Sequence, residues 1–538
     1  MKNIISIFII ALLSSFCLTA QNNETKRADK HFNKFEFIDA AVEYEKLVED
    51  GNTDVYIYSQ LAESYYNIYD FEKAEKWYAK ALETSSDPEM IFKYSLMLKA
   101  GGKYDEANKQ LAKFASMRPA DQRSITYKNN PDYLDRILGN EKKFNVQRLK
   151  DPINSETSDF GGTLKNGKLY ITSARNDRNS RKTYGWTTEA FLDIYTANLN
   201  DNGEFSEPSI IKENINTKYH EGTVSFSPDG NTMYFSRESF YDKIYEKDPS
   251  TKYKISVLHL YKSINQEGQW SEAEPLSLNG ENYSVKNPSV SADGKTLYFA
   301  SDKIGGYGNF DVYSAPIDEN GSVGEATNLG QKVNTEGQEM FPFISTSNTL
   351  YFSSNGHLGL GGLDVFFTKI IDGKAGPVRN IGIPVNGNAD DFAFSFNEET
   401  EKGFVSSNRE GGMGSDDIYA IKKLQPICDV LMTVTVRDSK TGLILDGASV
   451  SIQDSEGNIF GTKISNFEGI VEYIIECDID TKLVGSKIDY ESGSTLVAGT
   501  SEEEISAELL LTPIEEIILA NKVILNPIYF DFDQSNIT

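Results

Sequence analysis

One short strand, repeated five times, decides most of what this chain can fold into. It reads Leu169-Tyr170-Ile171-Thr172-Ser173, Met233-Tyr234-Phe235-Ser236, Leu297-Tyr298-Phe299-Ala300-Ser301, Leu350-Tyr351-Phe352-Ser353-Ser354 and Gly403-Phe404-Val405-Ser406-Ser407. Its key aromatic residues are spaced 64, 64, 53 and 53 apart. A second strand follows each copy: Asp193-Ile194-Tyr195, His259-Leu260-Tyr261, Asp311-Val312-Tyr313, Asp364-Val365-Phe366 and Asp417-Ile418-Tyr419. A strand before the core carries Ser225-Phe226-Ser227-Pro228-Asp229-Gly230 or a relative such as Ser289-Val290-Ser291-Ala292-Asp293-Gly294. Asp-Gly suits a tight hairpin turn, because that turn needs positive φ. Short strands at even spacing in a unit of about 53 residues describe sheets arranged radially.

Outer strands recur near Phe205–Lys212, Trp270–Leu278, Ser322–Lys332 and Ala375–Pro384, four for five cores. The fifth is expected at Phe144–Leu149, so that the start of the region completes its last sheet and removes the exposed edges. These motifs resemble the WD40-like, TolB-type blade family, which implies a β-propeller over 141–424, of five blades or, failing that, six. The loops Gly305-Gly306-Tyr307-Gly308, Gly359-Leu360-Gly361-Gly362 and Gly411-Gly412-Met413-Gly414 look like nucleotide cradles. They recur at one place in the unit, each followed by Asp, which makes them repeated turns. Gly294-Lys295-Thr296 lies in a hairpin, with no helix after it. Asn154, Asn216, Asn282, Asn334 and Asn386 read as turn-forming groups between blades. The insertions Asn176–Ala190 and Glu238–Ile255 mix Lys, Arg, Tyr and Trp and are candidate contact loops.

Upstream, a different repeat runs with a period of 34 and then 33: Ala28, Ala62, Ser95; Phe37, Phe71, Tyr104; Ala40, Ala74, Ala107; Tyr44, Tyr78, Leu111. Small residues recur where helices must approach closely, and large ones fill the gaps between them. The pattern resembles the tetratricopeptide repeat, best in Tyr58…Leu61-Ala62…Tyr65…Ala74…Tyr78…Ala81. The resemblance implies an α-solenoid over 21–140 with a protein-binding groove. By matching the repeat, its groove positions are Asp29, Asn33, Glu63, Tyr66, Asn67 and Lys99.

Composition narrows the chemistry. The chain has 538 residues and a net charge of −27, which disfavours binding to phosphate backbones, so no nucleic-acid partner is expected. With 4 His and 3 Cys there is little material for metal sites, and no metal, cofactor or catalytic residue is assigned. No zinc-protease helix motif and no nucleophile elbow appears, so no enzyme is expected. Residues 1–20, with Lys2, an apolar run from Ile4 to Leu13 and Ala20 before Gln21, read as a secretory signal peptide. Cys17 invites lipidation, but Phe16 is bulky where that processing wants a small residue, so cleavage after Ala20 is expected. In an exported chain Cys428 and Cys477 can form a disulfide or stay as buried thiols.

Past Pro426 the motifs Val434…Asp438…Thr441-Gly442…Gly447-Ala448-Ser449-Val450 and Asn466…Gly469 resemble the carboxypeptidase regulatory-like domain. That implies a seven-stranded β-sandwich over 425–514, without a catalytic group. Within 515–538, Leu525-Asn526-Pro527-Ile528-Tyr529-Phe530-Asp531-Phe532-Asp533 resembles the opening strand of the OmpA-like peptidoglycan-binding domain. The chain stops at Thr538, before the Asp and Arg that such a domain uses, so wall binding is expected only where that domain is complete. The order of modules is similar to that of PorE-type OmpA-family proteins of the type IX secretion system. The resemblance implies a multidomain α plus all-β scaffold in the periplasm, associated with the outer membrane. Its partners would be proteins of a secretion and gliding complex. The alternative is a propeller that binds or hydrolyses glycans.

Overall fold

A computed structural model describes residues 24–139, 142–176, 182–211, 215–247, 253–371, 373–424, 429–453, 459–476, 480–500, 502, 504–514, 518–519 and 522–523. The expected signal peptide, Cys17, Cys428, Cys477 and the stretch expected to open an OmpA-like domain lie outside them. The chain divides into two compact units, 1–425 and 426–538. Among the described residues no helix is long and apolar enough to cross a membrane.

The first unit opens with helices α1 (Lys26–Phe32), α2 (Phe37–Glu49), α3 (Val55–Asn67), α4 (Phe71–Leu82), α5 (Pro88–Ala100), α6 (Tyr104–Met117), α7 (Gln122–Asn129) and α8 (Tyr133–Gly139). From α1 to α7 each packs on the next. Asp54, Asp70, Asp87 and Asp121 accept hydrogen bonds from first-turn N–H groups and start four of these helices. The repeated small residues Ala40, Ala62 and Ala74 are fully buried at the helix contacts, among Tyr44, Leu61, Tyr78 and Phe114.

Five antiparallel sheets follow. The first runs Asp159–Lys165, Lys168–Ser173, Asp193–Asn198, Ser209–Ile210, and the third and fourth repeat this order. The outer strands foreseen in the sequence shrink to two paired residues, such as Thr327–Asn328 and Arg379–Asn380. In the fifth sheet Phe144–Arg148 takes the outer place and pairs with Asp417–Lys423, Phe144 facing Lys423 and Arg148 facing Tyr419. The innermost strands, starting at Asp159, Glu221, Val285, Glu339 and Asp391, touch one another in that order, and the last touches the first. The sheets therefore form a cycle.

Three devices recur around it. First, an asparagine amide before each innermost strand replaces a missing strand partner. Its oxygen accepts from the backbone N–H, and its NH₂ donates to the C=O, of Ile418, Ile194, Leu260, Val312 or Val365, all at 2.8–3.0 Å. The amides are those of Asn154, Asn216, Asn279, Asn334 and Asn386. Asn279, not the expected Asn282, holds the third place, six residues before its strand where the other four stand five before theirs. Tyr283 lies against Gly280 there so closely that a Cβ would collide with its ring. Second, the innermost strands bulge with positive φ at Gly161, Thr223, Asn287, Phe341 and Ala393. Four of these are not glycine, so the strain is held by the surrounding packing. Third, the hydroxyls of Ser406, Thr172 and Ser236 accept the bulge N–H of Gly161, Thr223 and Asn287 in the next sheet. That bond is a physical reason for the repeated Ser after the aromatic pair.

In the second unit two four-stranded sheets enclose one apolar core of Val430, Met432, Val434, Val436, Val450, Tyr473, Leu483, Leu509 and Leu511. These two sheets hold eight strands among the described residues, against the seven expected of the sandwich; the extra one, Tyr490–Glu491, is two residues long, and a separate pair, Ile518–Leu519 and Lys522–Val523, follows. Asp429–Asp438 lies parallel to Glu504–Pro513 and antiparallel to Ile470–Glu476.

Candidate functional site: the helix-covered face of the sheet cycle

The groove positions inferred from the helical repeat meet different fates. Asp29 is buried and accepts from Thr25 Oγ1, Tyr44 Oη and Tyr56 Oη at 2.6–2.9 Å, so it ties α1 to α2 and α3. Glu63 accepts from Tyr78 Oη at 2.9 Å and pairs with Lys93 at 2.7 Å. Asn33 is exposed at the end of α1. The other three face the chain's own sheets. Lys99 is 2 % exposed and donates from Nζ to the carbonyl of Gly359 at 3.0 Å. The Asn67 carbonyl accepts from Trp186 Nε1 at 2.7 Å. Tyr66 Oη accepts from Asn355 Nδ2 at 3.4 Å.

More contacts spread this seat across the cycle. Asn388 Nδ2 donates to Ala100 O at 2.7 Å, and the Glu336 carboxylate takes the N–H of Gln122 at 3.0 and 3.1 Å at the start of α7. Leu360 packs into Tyr133 and Ile137. Trp186, in the first insertion, stacks on Phe35 and meets Phe37 edge-on at 4.8 Å. A Cβ at Gly362 would collide with Tyr69 Oη and Asp390, so only glycine lets the α3–α4 turn approach this loop. These contacts join residues more than a hundred positions apart. The groove residues Tyr66, Asn67 and Lys99, taken singly, look like solvated helix faces. Trp186 alone offered a hint, as a large apolar ring in a loop.

Beneath the helices lie buried carboxyls. Asp159, Glu221, Glu339 and Asp391, at the head of four innermost strands, each accept the backbone N–H four residues earlier, from Ser155, Thr217, Thr335 and Gly387. Burial pushes Glu221 up to about 8 and Glu339 up to about 7, against the pull of the hydrogen bonds each accepts. Asp390 is pushed up to about 8 by burial as well. Burial also raises Asp364 and lowers the facing Lys99, while their mutual attraction opposes both shifts. Asp311, Asp364 and Asp417 cap the Gly-rich loops by accepting the N–H of Gly308, Gly361 and Gly414. Those loops are turns closed by the Asp that follows them. At the bulge level Phe160, Phe341 and Phe392 meet with ring centroids 5.0–6.3 Å apart, so side chains from three sheets converge on one apolar cluster.

One metal-capable grouping occurs among the described residues: His31, Glu36 and Asp39. His31 Nδ1 lies 2.6 Å from Glu36 Oε2 and 3.9 Å from Asp39, and the His–Glu hydrogen bond already satisfies two of the three.

No family model and no curated protein matches the chain. Several solved structures share partial likeness. A catechol 1,2-dioxygenase variant of Acinetobacter radioresistens matches 19% of this chain at 12% identity and TM-score 0.15, and the match spans 57% of that protein's length. A TolB-type protein of Agrobacterium tumefaciens matches 53% of this chain and 86% of its own, at 17% identity and TM-score 0.26. A GH32 β-fructofuranosidase of Bombyx mori matches 73% and 93%, at 8% identity and TM-score 0.33. Likenesses this slight carry no argument about activity.

Proposed function

We propose that this chain is a non-enzymatic, exported scaffold of the PorE-type OmpA family. In this reading α1–α6 are three tetratricopeptide units, the five sheets are the blades of a closed five-bladed propeller, and the second unit is a carboxypeptidase regulatory-like spacer. The scaffold sits in the periplasm against the outer membrane and binds proteins of the type IX secretion and gliding machinery. With a complete OmpA-like domain it links them to peptidoglycan.

The observation that carries the reading is how the carboxyls are used. The four acids heading innermost strands each brace an inter-sheet loop, and α3, α5, α7 and α8 bond or pack on loops of the first, fourth and fifth sheets. A scaffold needs area and rigidity, and both repeat folds supply them. A photo-crosslinking residue placed at exposed Tyr241 or Tyr307 tests this in cells. Crosslinks to outer-membrane secretion components are expected. A second reading, a glycan-binding or hydrolytic propeller, draws support from the raised Asp364 and Asp390, both of which act on Tyr69. If a soluble glycan shields the propeller from proteolysis while no protein crosslinks form, that second reading replaces the first.

A further inference from the structure

In four of the five sheets the same slot is filled by a basic side chain. It lies between the aromatic residue of the third strand and the loop that enters the innermost strand. Arg175 lies over Tyr195 (5.8 Å to the centroid), donates to the Ile153 carbonyl and pairs with Asp159 at 3.1 Å. Arg237 lies over Tyr261 (4.7 Å), donates to Ile215 O at 2.8 Å and faces Glu221 at 3.4 Å. Arg409 lies over Tyr419 (4.9 Å), donates to Val385 O at 2.7 Å and pairs with Asp391. In the fourth sheet an imidazole does the work: His357 sits 5.1 Å from the Phe366 ring and donates from Nε2 to Val333 O at 2.8 Å.

The third sheet breaks the rule at every point. Val285 faces Ser301 where Asp159 faces Ser173 and Asp391 faces Ser407, so the carboxylate is gone. Lys303, two residues after Ser301, is the counterpart of Arg175 and Arg409. It is exposed, with its Nζ 5.7 Å from the Tyr283 ring rather than over Tyr313. The loop carbonyl, that of Leu278, accepts from Tyr283 Oη instead. What remains is a cavity of about 510 Å³. Its base is Leu278, Val285, Phe299 and Tyr313, nearly shielded from water, and its lip carries exposed Lys303 and Glu325.

We infer that this slot is a binding site for a neutral aromatic side chain presented by a partner polypeptide. A guanidinium there would be buried without its counter-ion, which is costly. A flat apolar ring would instead meet Phe299 and Tyr313 in offset or edge-on contact. The opposed charges of Lys303 and Glu325 suit the polar backbone that flanks such a residue. The site stands independently of the compartment and the partners proposed above.

Ligand-observed NMR on the full chain tests it, with N-acetyl-tryptophanamide as probe and N-acetyl-argininamide as its rival. The comparison protein is V285D/K303R, which rebuilds the slot on the pattern of the first and fifth sheets. Saturable binding of the tryptophan probe to the wild type is expected, at least tenfold weaker in the double variant, with the arginine probe weaker still on the wild type. No saturable binding, equal binding by both proteins, or preference for the arginine probe overturns the inference. If the double variant does not fold, acetylation of the wild type decides. The tryptophan probe should shield Lys303 but not Lys295, and a lack of selective shielding overturns it.

Discussion

Replacing Asn154 with Ala should unlatch the sheet cycle at its seam. Asn154 Oδ1 accepts the N–H of Ile418 at 2.8 Å, and its Nδ2 donates to the carbonyls of Ile418 at 3.0 Å and Leu149 at 3.3 Å. Asn154 is 3 % exposed and Ile418 is fully buried, so water cannot replace the amide without opening the sheet. A buried polar group left unpaired costs about 1–3 kcal/mol, and here the N–H of Ile418 loses its partner while its C=O keeps the Leu149 N–H. The loss should total about 3 kcal/mol. At about 2 °C per kcal/mol for a unit this large, Tm should fall by about 6 °C in calorimetry. Asn216→Ala is the matched control, since it removes the same bonds from Ile194 within one contiguous stretch. If the seam is a true closure, the two variants lose similar stability, and hydrogen exchange in N154A rises first at Phe144–Arg148 and Asp417–Lys423. A silent N154A beside a destabilised N216A would refute the closure.

Three further outcomes follow from the same structure. Glu221, Glu339 and Asp390 are raised in the folded state, so between about pH 4 and pH 7–8 they hold protons that the unfolded chain has released. Their contribution is complete near pH 4 and is lost as the pH rises through 7–8; Tm of the first unit should therefore be higher at pH 5 than at pH 8, and D390N should flatten that slope. Gly362→Val, which drives a Cβ and more into Tyr69, should speed hydrogen exchange in the α3–α4 turn while the sheets of the cycle keep theirs; unchanged exchange would count against the tight approach. In the second unit Tyr473 Oη donates to Val450 O at 2.6 Å and accepts the N–H of Lys463 at 3.1 Å. Tyr473→Phe should cost that unit about 1–2 kcal/mol in denaturant melts and leave the melting of the first unit unmoved.

What could be read in the chain beforehand follows the physics of each feature. The repeated strand announces itself because its residues have distinct jobs: rings into the core, a hydroxyl to the next bulge at Thr172, Ser236 and Ser406, and a hydroxyl to the following loop at Ser173, Ser301, Ser354 and Ser407. The pairing of Phe144–Arg148 with Asp417–Lys423 was inferable from four outer strands serving five cores. The bulges were hidden, since positive φ falls on Thr223, Asn287, Phe341 and Ala393 rather than on glycine. Asn279 stands six residues before its strand and its four siblings five, so no fixed spacing picked it out from Asn282. The seat of Lys99 on Gly359 was beyond reach, because a lysine on a helical repeat looks the same whether it meets water or a distant loop. The third-sheet slot, by contrast, was written in the sequence as Val285 where its siblings carry Asp or Glu; seeing it needed the strand register.

Amine labelling offers the most direct check that the helices close over the cycle of sheets. Lys99 and Lys103 lie four residues apart; Lys99 is 2 % exposed against Gly359, and the Lys103 side chain is 51% exposed. Brief treatment of the native chain with an acylating reagent at pH 8, read by mass spectrometry, should modify Lys103 readily and leave Lys99 nearly untouched until the protein is unfolded. Lys99 reacting as fast as Lys103 in the native protein would mean an open groove and would contradict the covered face on which this account rests.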